Sequence, residues 1–235
     1  MQSKVVPRAF VLMTVLFYFK EEMMENSIIW IFFAGVCIFW LYFVSGKMKM
    51  QQKQRIEYEE NRVKYRNFTS EMLDEIPDDK LIQAIIFHIM AKEDKLYEGE
   101  EIDGSLKDVL TRGELLIYTI YQVEASMKGN QGSIHTFFIQ EPYCTYRPYV
   151  KEAFEAVGCH EIVGLMEAAE KLAVMIENDE DTELDDRSDY GKYNFADFTN
   201  ELMSMLKASD IDLKIGKYIR ENKNDFIDME VKTDE

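Results

Sequence analysis

The sequence is poor in the residues that cross-link or catalyse, with 3 cysteines, 3 histidines and 4 prolines among 235 residues. Three scattered cysteines exclude a disulfide framework, and reduced thiols are typical of a cytosolic protein. Basic residues are also scarce, because 27 Lys and Arg face 44 Asp and Glu, which gives a net charge of −17. This charge excludes direct binding to nucleic acid, since the negatively charged protein and the phosphate backbone would repel each other. Any charged partner is therefore predicted to be basic.

Catalytic and cofactor motifs are also absent. The sequence has neither of the glycine-rich loops that cradle phosphates. His160 and Glu161 begin like the helix of a zinc protease, but Gly164 occupies the place of the second histidine. No other histidine or cysteine has metal-ligand spacing, and no serine or cysteine has a recognisable nucleophile context. We therefore predict no catalytic residue, no metal and no cofactor, with an enzyme that lacks a known motif as an alternative.

The longest apolar run covers residues 28–44 and has no charge, amide or proline. With Ser27, Ser45 and Gly46 it reaches 20 residues, which as a helix spans about 30 Å, the thickness of a hydrocarbon core. We predict a transmembrane span at residues 28–45 within a membrane anchor of residues 1–46. The alternative is a buried helix of a soluble core, which would normally show a polar face.

A second apolar segment, residues 9–19, is too short to span a bilayer as a helix. Three interpretations stay open: a signal-peptide core, an interfacial helix or a short first span. The orientation is clearer, because KMKMQQKQR after Gly46 carries four bases and no acid. Positive charge stays on the cytoplasmic side. We therefore expect the remaining chain to lie in the cytoplasm.

The rest of the chain is predicted to be all-α. A polar stalk (47–66) is followed by an acidic helical domain (67–228) and a tail (229–235). Helix-start signals at Pro77 and Thr111, the glycines after helical patterns and the three- and four-residue spacing of apolar residues predict helices. The segments expected are helices beginning at 77, at 112–128, 148–157 and 160–176, and two after 189, with loops at 94–106 and 129–132, a short aromatic segment at 133–140 and an irregular stretch at 141–148. No segment alternates with the period of a strand.

An acidic segment, residues 177–189, concentrates the negative charge. Its eight acids face one base, Arg187, and are Glu177, Asp179, Glu180, Asp181, Glu183, Asp185, Asp186 and Asp189. Three interpretations compete. A calcium loop needs glycine where Leu184 stands; a solvated loop would have no role; an anionic surface would bind a basic partner.

From the helix at 112–128 through residue 227 the sequence resembles the bacterial family of acidic, all-helical DNA-mimic proteins, in their C-terminal domain. The resemblance is carried by YQVEASMKGNQGSIHTFF, with Gly132, Phe137 and Phe138 in the matching places, by EAFEAVGCHEIVGLMEAAEKL and by IGKYIRENKNDF. The family's double glycine is here Gly132-Ser133. We expect Gly132, Phe137 and Phe138 to be structural.

The resemblance implies an acidic domain whose carboxylates imitate DNA phosphates and occupy a basic DNA-binding protein, and it implies no catalytic residue. The eight acids of residues 177–189 are the expected contacts. Together with the predicted span, this gives a protein of the bacterial cytoplasmic membrane that captures such a partner in the cytoplasm. The alternative is a structural or scaffold membrane protein whose acids only solubilise the domain.

Overall fold

The structure is a computed structural model that describes residues 36, 39–40, 42–45, 47–97, 105–129, 132–178 and 193–228. The chain divides into two compact units, residues 1–59 and residues 60–235. The boundary between them falls within the predicted stalk.

In the first unit, the described residues from 36 to 59 are helical. Their large apolar side chains are exposed, with Phe39, Trp40 and Tyr42 at 70%, 65% and 78%. Within the part of the chain that is described, no helix is both long enough and apolar enough to span a membrane. Most of the predicted span at 28–45 and all of the segment at 9–19 lie outside the described residues.

The described residues of the second unit form helices joined by turns and contain no strand, and the prediction of an all-α domain is confirmed. After the helical residues 60–64, its α-helices are α1 (Ser70–Glu75), α2 (Asp78–Tyr97), α3 (Leu106–Val109), α4 (Arg112–Ser126), α5 (Ile134–Ile139), α6 (Val150–Ala156), α7 (His160–Glu177), α8 (Phe195–Ala208) and α9 (Ile211–Glu221). Two 3₁₀ helices, Tyr143–Tyr149 and Lys223–Asp225, complete them.

Helix α4 lies at the centre of the core. It packs against α2, α5 and α6, and eleven of its fifteen residues are buried. Thr111 caps its first turn, because the Thr111 side chain accepts from the Glu114 amide while the Glu114 carboxylate accepts from the Thr111 amide. The start of this helix after Thr111 was predicted from the sequence and is confirmed.

Three segments differ from the prediction. Helix α2 continues to Tyr97, so residues 94–97 of the loop expected at 94–106 are helical, and Leu96 packs against the core. The aromatic segment is helix α5, because the Ser133 side chain accepts from the His135 amide at its start. The stretch expected to be irregular forms the 3₁₀ helix at Tyr143–Tyr149.

Candidate partner-binding surface

The acidic segment connects two helices that pack together. Glu177 is the last residue of α7, and Asn194 caps the first turn of α8 by accepting from two amides, those of Ala196 and Asp197. The other seven predicted contacts, Asp179, Glu180, Asp181, Glu183, Asp185, Asp186 and Asp189, lie outside the described residues. The chain therefore leaves α7 at the start of the acidic segment and enters α8, which packs against α7, after residue 194.

The carboxylate of Glu177 is already engaged. Its Oε1 lies 3.3 Å from Arg147 Nη1, and the same guanidinium donates from Nε to Glu170 at 2.8 Å. Partial burial would lower the pKa of Arg147, but these two carboxylates outweigh it and raise the pKa. One partly buried cation thus pairs with two of the acids at this end of α7 and compensates one of their two negative charges.

The other acids on α7 are also paired. Glu167 binds Lys151 of α6, and Glu161 lies 3.7 Å from Lys214 of α9. The hydrogen bond that Lys151 donates to the Glu167 carboxylate is the largest cause of the raised pKa of Lys151. These exposed pairs link neighbouring helices, but each contributes little to stability because water screens it. The exposed face of α7 is therefore close to electrically balanced.

Ion pairs also close other helix junctions. Arg112 at the start of α4 binds Glu152 of α6, with Nε 2.8 Å from Oε1. Arg220 of α9 binds Asp78 of α2 at 2.7 Å.

Across residues 60–235 the net charge is −19, of which −11 falls in residues 98–104, 179–192 and 229–235. Most of the uncompensated charge thus belongs to segments between or after the helices.

The turn before α5 requires Gly132. A Cβ atom at this position would lie 2.2 Å from the Met127 carbonyl oxygen, so no other residue fits without moving the backbone. Gly132 also donates to the Gly129 carbonyl, and Ser133 donates to the Ser126 carbonyl. This close approach connects the end of α4 to the start of α5.

The aromatic pair lies in the core. Phe137 and Phe138 are 0% and 1% exposed, and their rings meet edge to face at 5.3 Å. The Arg147 guanidinium lies over the Phe138 ring at 5.8 Å. Phe138 therefore packs against the arginine that pairs with Glu170 and Glu177, and both rings are inaccessible to a partner.

The structure also contains a buried charged cluster that the sequence did not reveal. Glu114 of α4 is fully buried, and its carboxylate accepts from Lys92 of α2 at 2.7 and 2.9 Å. Burial alone would raise the pKa of Glu114, but His88, Lys92 and the Thr111 amide outweigh burial and lower it. The cluster therefore holds a charged carboxylate inside the core.

His88 completes this cluster. Its Nδ1 lies 3.0 Å from the Tyr65 carbonyl oxygen, which can only accept, so Nδ1 carries a proton. Its Nε2 faces Glu114 at 3.4 Å and Asp228 at 3.5 Å. The ring is fully buried, and Nε2 makes no hydrogen bond.

Residues 225–228, which follow α9, pack beside this cluster. Asp228 and Phe68 exchange hydrogen bonds, since the Asp228 amide donates to the Phe68 carbonyl at 2.9 Å and the Phe68 amide donates to Asp228 Oδ2 at 3.0 Å. Asp225 accepts from the Gly113 amide at 3.0 Å. The two residues in each of these contacts are more than a hundred positions apart in the sequence, so no local pattern could have indicated the contacts.

Among the described residues, no group of three histidine, cysteine or acidic side chains could hold a metal ion. Cys159 is buried whereas the adjacent His160 is exposed, so the two point to different environments.

Fold and surface together define an acidic, all-helical domain in which the acids of α7 lie against basic side chains, while more than half of the net negative charge belongs to segments between or after the described helices. Residues 108–222, about half of the chain, match the family model described as DMP19-like protein. The resemblance to DNA-mimic proteins that the sequence indicated over residues 112–227 is thereby confirmed for this segment. The comparison with curated proteins and the comparison with solved structures each gave no match.

Proposed function

We propose that the acidic helical domain is a non-enzymatic binding module that imitates nucleic acid and occupies a basic DNA-binding protein. The observation that carries this proposal is the location of the charge: eight acids within residues 177–189, inside a segment that matches the DMP19-like family. Duplex DNA presents one negative charge per about 1.7 Å of its axis, so a mimic must offer many carboxylates to one basic surface.

The ion pairs on α7 change which acids are expected to attract the partner. Glu161, Glu167 and Glu170 on α7 could supply fixed spacing, but each is paired with a basic residue of this chain. A partner would have to displace Lys214, Lys151 or Arg147 to reach them. We therefore assign the main attraction to the acidic segment, which steers the encounter and raises the association rate more than the final affinity.

The test replaces Asp179, Asp181, Asp185 and Asp186 by Asn in the full chain. Binding to proteins from the heparin-binding fraction of a bacterial lysate should become slower and less dependent on salt, because fewer charges attract the partner. The control replaces Glu161, Glu167 and Glu170 by Gln, which removes paired acids and should slow binding less. Equal slowing by both sets, or no capture by the wild type at low salt, would favour the scaffold alternative.

The proposal includes anchoring at the bacterial cytoplasmic membrane through residues 28–45, with the acidic domain in the cytoplasm. It is supported by the uncharged run at 28–44, by the exposed Phe39, Trp40 and Tyr42 of the described helical residues, and by the four bases after Gly46. Anchoring would hold a captured protein at the membrane.

Fractionation tests the anchor. The full chain should sediment with membranes and be released by detergent but not by high salt. An impermeant thiol reagent applied to intact cells should leave Cys144 unlabelled. Recovery of the chain without detergent would refute the anchor, and labelling of Cys144 would reverse the orientation.

A further inference from the structure

A cleft of about 180 Å³ lies between the end of α2, the start of α3 and the 3₁₀ helix Tyr143–Tyr149. The side chains that give it its chemistry are those of Glu93, Tyr97, Thr145 and Tyr146. Pockets for drug-sized ligands usually measure about 300–1,000 Å³. The cleft is therefore suited to a single side chain or a small ion, and is too small for a nucleotide.

Glu93 gives the cleft a carboxyl group that forms no ion pair with any described residue. Its carboxyl is partly buried, and burial, followed by the neighbouring Asp94, raises its pKa, whereas Arg62 lowers it. Arg62 binds Asp94 instead, and no described residue lies within ion-pair distance of Glu93. A bound cation would therefore stabilise the charged form of Glu93 more than its present surroundings do.

Aromatic rings border the same cleft. Tyr97 follows Glu93 by one helical turn, so both side chains lie on the same face of α2, and its ring is 65% exposed. Tyr146 is 5% exposed and is held by an edge-to-face contact with Tyr118 at 5.2 Å. Burial and the charge of Glu93 raise the pKa of Tyr146 to about 12, so its phenol stays neutral.

We propose that this cleft binds the guanidinium group of an arginine side chain. A planar cation can lie against tyrosine faces and donate hydrogen bonds to the Glu93 carboxylate. The proposal rests on the proposed function, because the arginine would be presented by the basic partner. The acidic segment would then attract the partner over distance, while the cleft would fix one of its side chains.

The proposal predicts a pH dependence of a definite sign. Binding of a cation favours the carboxylate, so affinity is lowest where Glu93 is protonated and rises as the pH passes through its raised pKa. The charged groups facing Glu93 are Asp94 and Arg62, and Tyr146 and Tyr118 face it as neutral phenols.

The experiment titrates the full chain with N-acetyl-argininamide and, as a neutral isostere, N-acetyl-citrullinamide, while NMR follows the Tyr97 signals. We expect saturable shifts at millimolar concentration with the arginine derivative only. Equal shifts with both compounds, or none with either, would overturn the proposal.

Variants locate the binding. Glu93→Gln should weaken binding of the arginine derivative about tenfold or more, because it removes a charge-assisted hydrogen bond. Tyr97→Ala should also weaken it, whereas Tyr97→Phe keeps the ring and should retain most of the affinity. Glu155→Gln removes the same charge from an exposed position on α6 and should leave binding unchanged. If Glu93→Gln binds as well as the wild type, Glu93 is not the acceptor and the proposal fails.

The two proposals can fail separately. Capture of basic proteins that is unaffected by Glu93→Gln, together with no arginine binding, would refute the cleft and leave the mimic function intact. Arginine binding without capture of any basic protein would refute the mimic function and leave the cleft.

Discussion

The acids of helix α7 and those of residues 178–189 differ in one respect that the sequence composition conceals. On α7, Glu161, Glu167, Glu170 and Glu177 each lie against a basic side chain of this chain. Residues 178–189 contain seven acids and Arg187 as their one base. The acids of α7 therefore contact neighbouring helices of this chain, whereas the seven acids of residues 178–189 outnumber the one base of their own segment.

The largest expected effect concerns the helical frame on which the acidic segment is held. Phe137→Ala should lower the free energy of unfolding by about 3–5 kcal/mol, because it leaves a cavity where a fully buried ring had been. Urea unfolding followed by circular dichroism measures it. Ile139→Ala on the same helix, at a side chain 47% exposed, is the matched control and should change it by less than about 1 kcal/mol. A small loss at Phe137 would show that the frame does not depend on α5.

The second prediction separates a buried acid from the exposed ones. Glu114→Gln should lower the free energy of unfolding by about 1.5–3 kcal/mol at neutral pH, because it removes a charge-assisted hydrogen bond and leaves Lys92 without its charged partner.

The pH dependence of this loss has a fixed sign. Since the pKa of Glu114 is lowered by folding, its stabilisation is fully present above the ordinary value of 4.5 and disappears as the pH falls through the lowered pKa. Unfolding of wild type and variant at neutral pH and at pH about 3 should therefore show converging stabilities. A difference that persists in acid would assign the loss to packing. The exposed Glu155→Gln should be neutral at both.

The third prediction converts paired acids into unpaired ones. Arg147→Gln should cost no more than about 1 kcal/mol of stability, because its ion pairs are partly exposed. It should also release Glu170 and Glu177 and accelerate association with a basic protein at low salt. Surface plasmon resonance at two salt concentrations measures the rate. Lys171→Gln changes the net charge equally at an exposed site of α7 and is the control. Equal acceleration by both variants would mean that net charge alone matters.

The smallest effect is expected at Glu124 of α4. Burial raises its pKa, Lys128 lowers it, and Asp212 raises it further. The folded state therefore loses stability as the pH rises through this raised pKa. At neutral pH, Glu124→Gln should raise the free energy of unfolding by less than about 1 kcal/mol. Thermal unfolding at neutral pH and at pH about 4 should show the gain only at the higher pH. A loss at neutral pH would mean that the carboxylate makes a stabilising contact.

Sequence patterns predicted the helices where the signals are local. Thr111 with Glu114 three residues later marks the start of α4, and the apolar spacing that follows marks its buried face. The same reasoning placed α6, α7, α8 and α9, because each has its own spacing of apolar residues and its own start or stop signal. The all-α class follows from these elements.

Partners that meet through tertiary packing could not be predicted in this way. Glu114 reads as an ordinary capping residue, and only the packing of α2 on α4 brings Lys92 and His88 to it. Glu161, Glu167 and Glu170 read as free surface acids until α6, α9 and the 3₁₀ helix place bases beside them. The seven acids beyond Glu177 stay a prediction from sequence, since they lie outside the described residues.

Competition with DNA tests the central claim most directly. Basic proteins from a heparin-binding fraction are captured on the immobilised full chain at low salt, and duplex DNA is then added at the same ionic strength. If the acidic domain imitates nucleic acid, duplex DNA releases the captured proteins, and the Asp179, Asp181, Asp185 and Asp186 to Asn variant captures them more slowly. Proteins that stay bound in excess duplex DNA would contact another surface and contradict the claim.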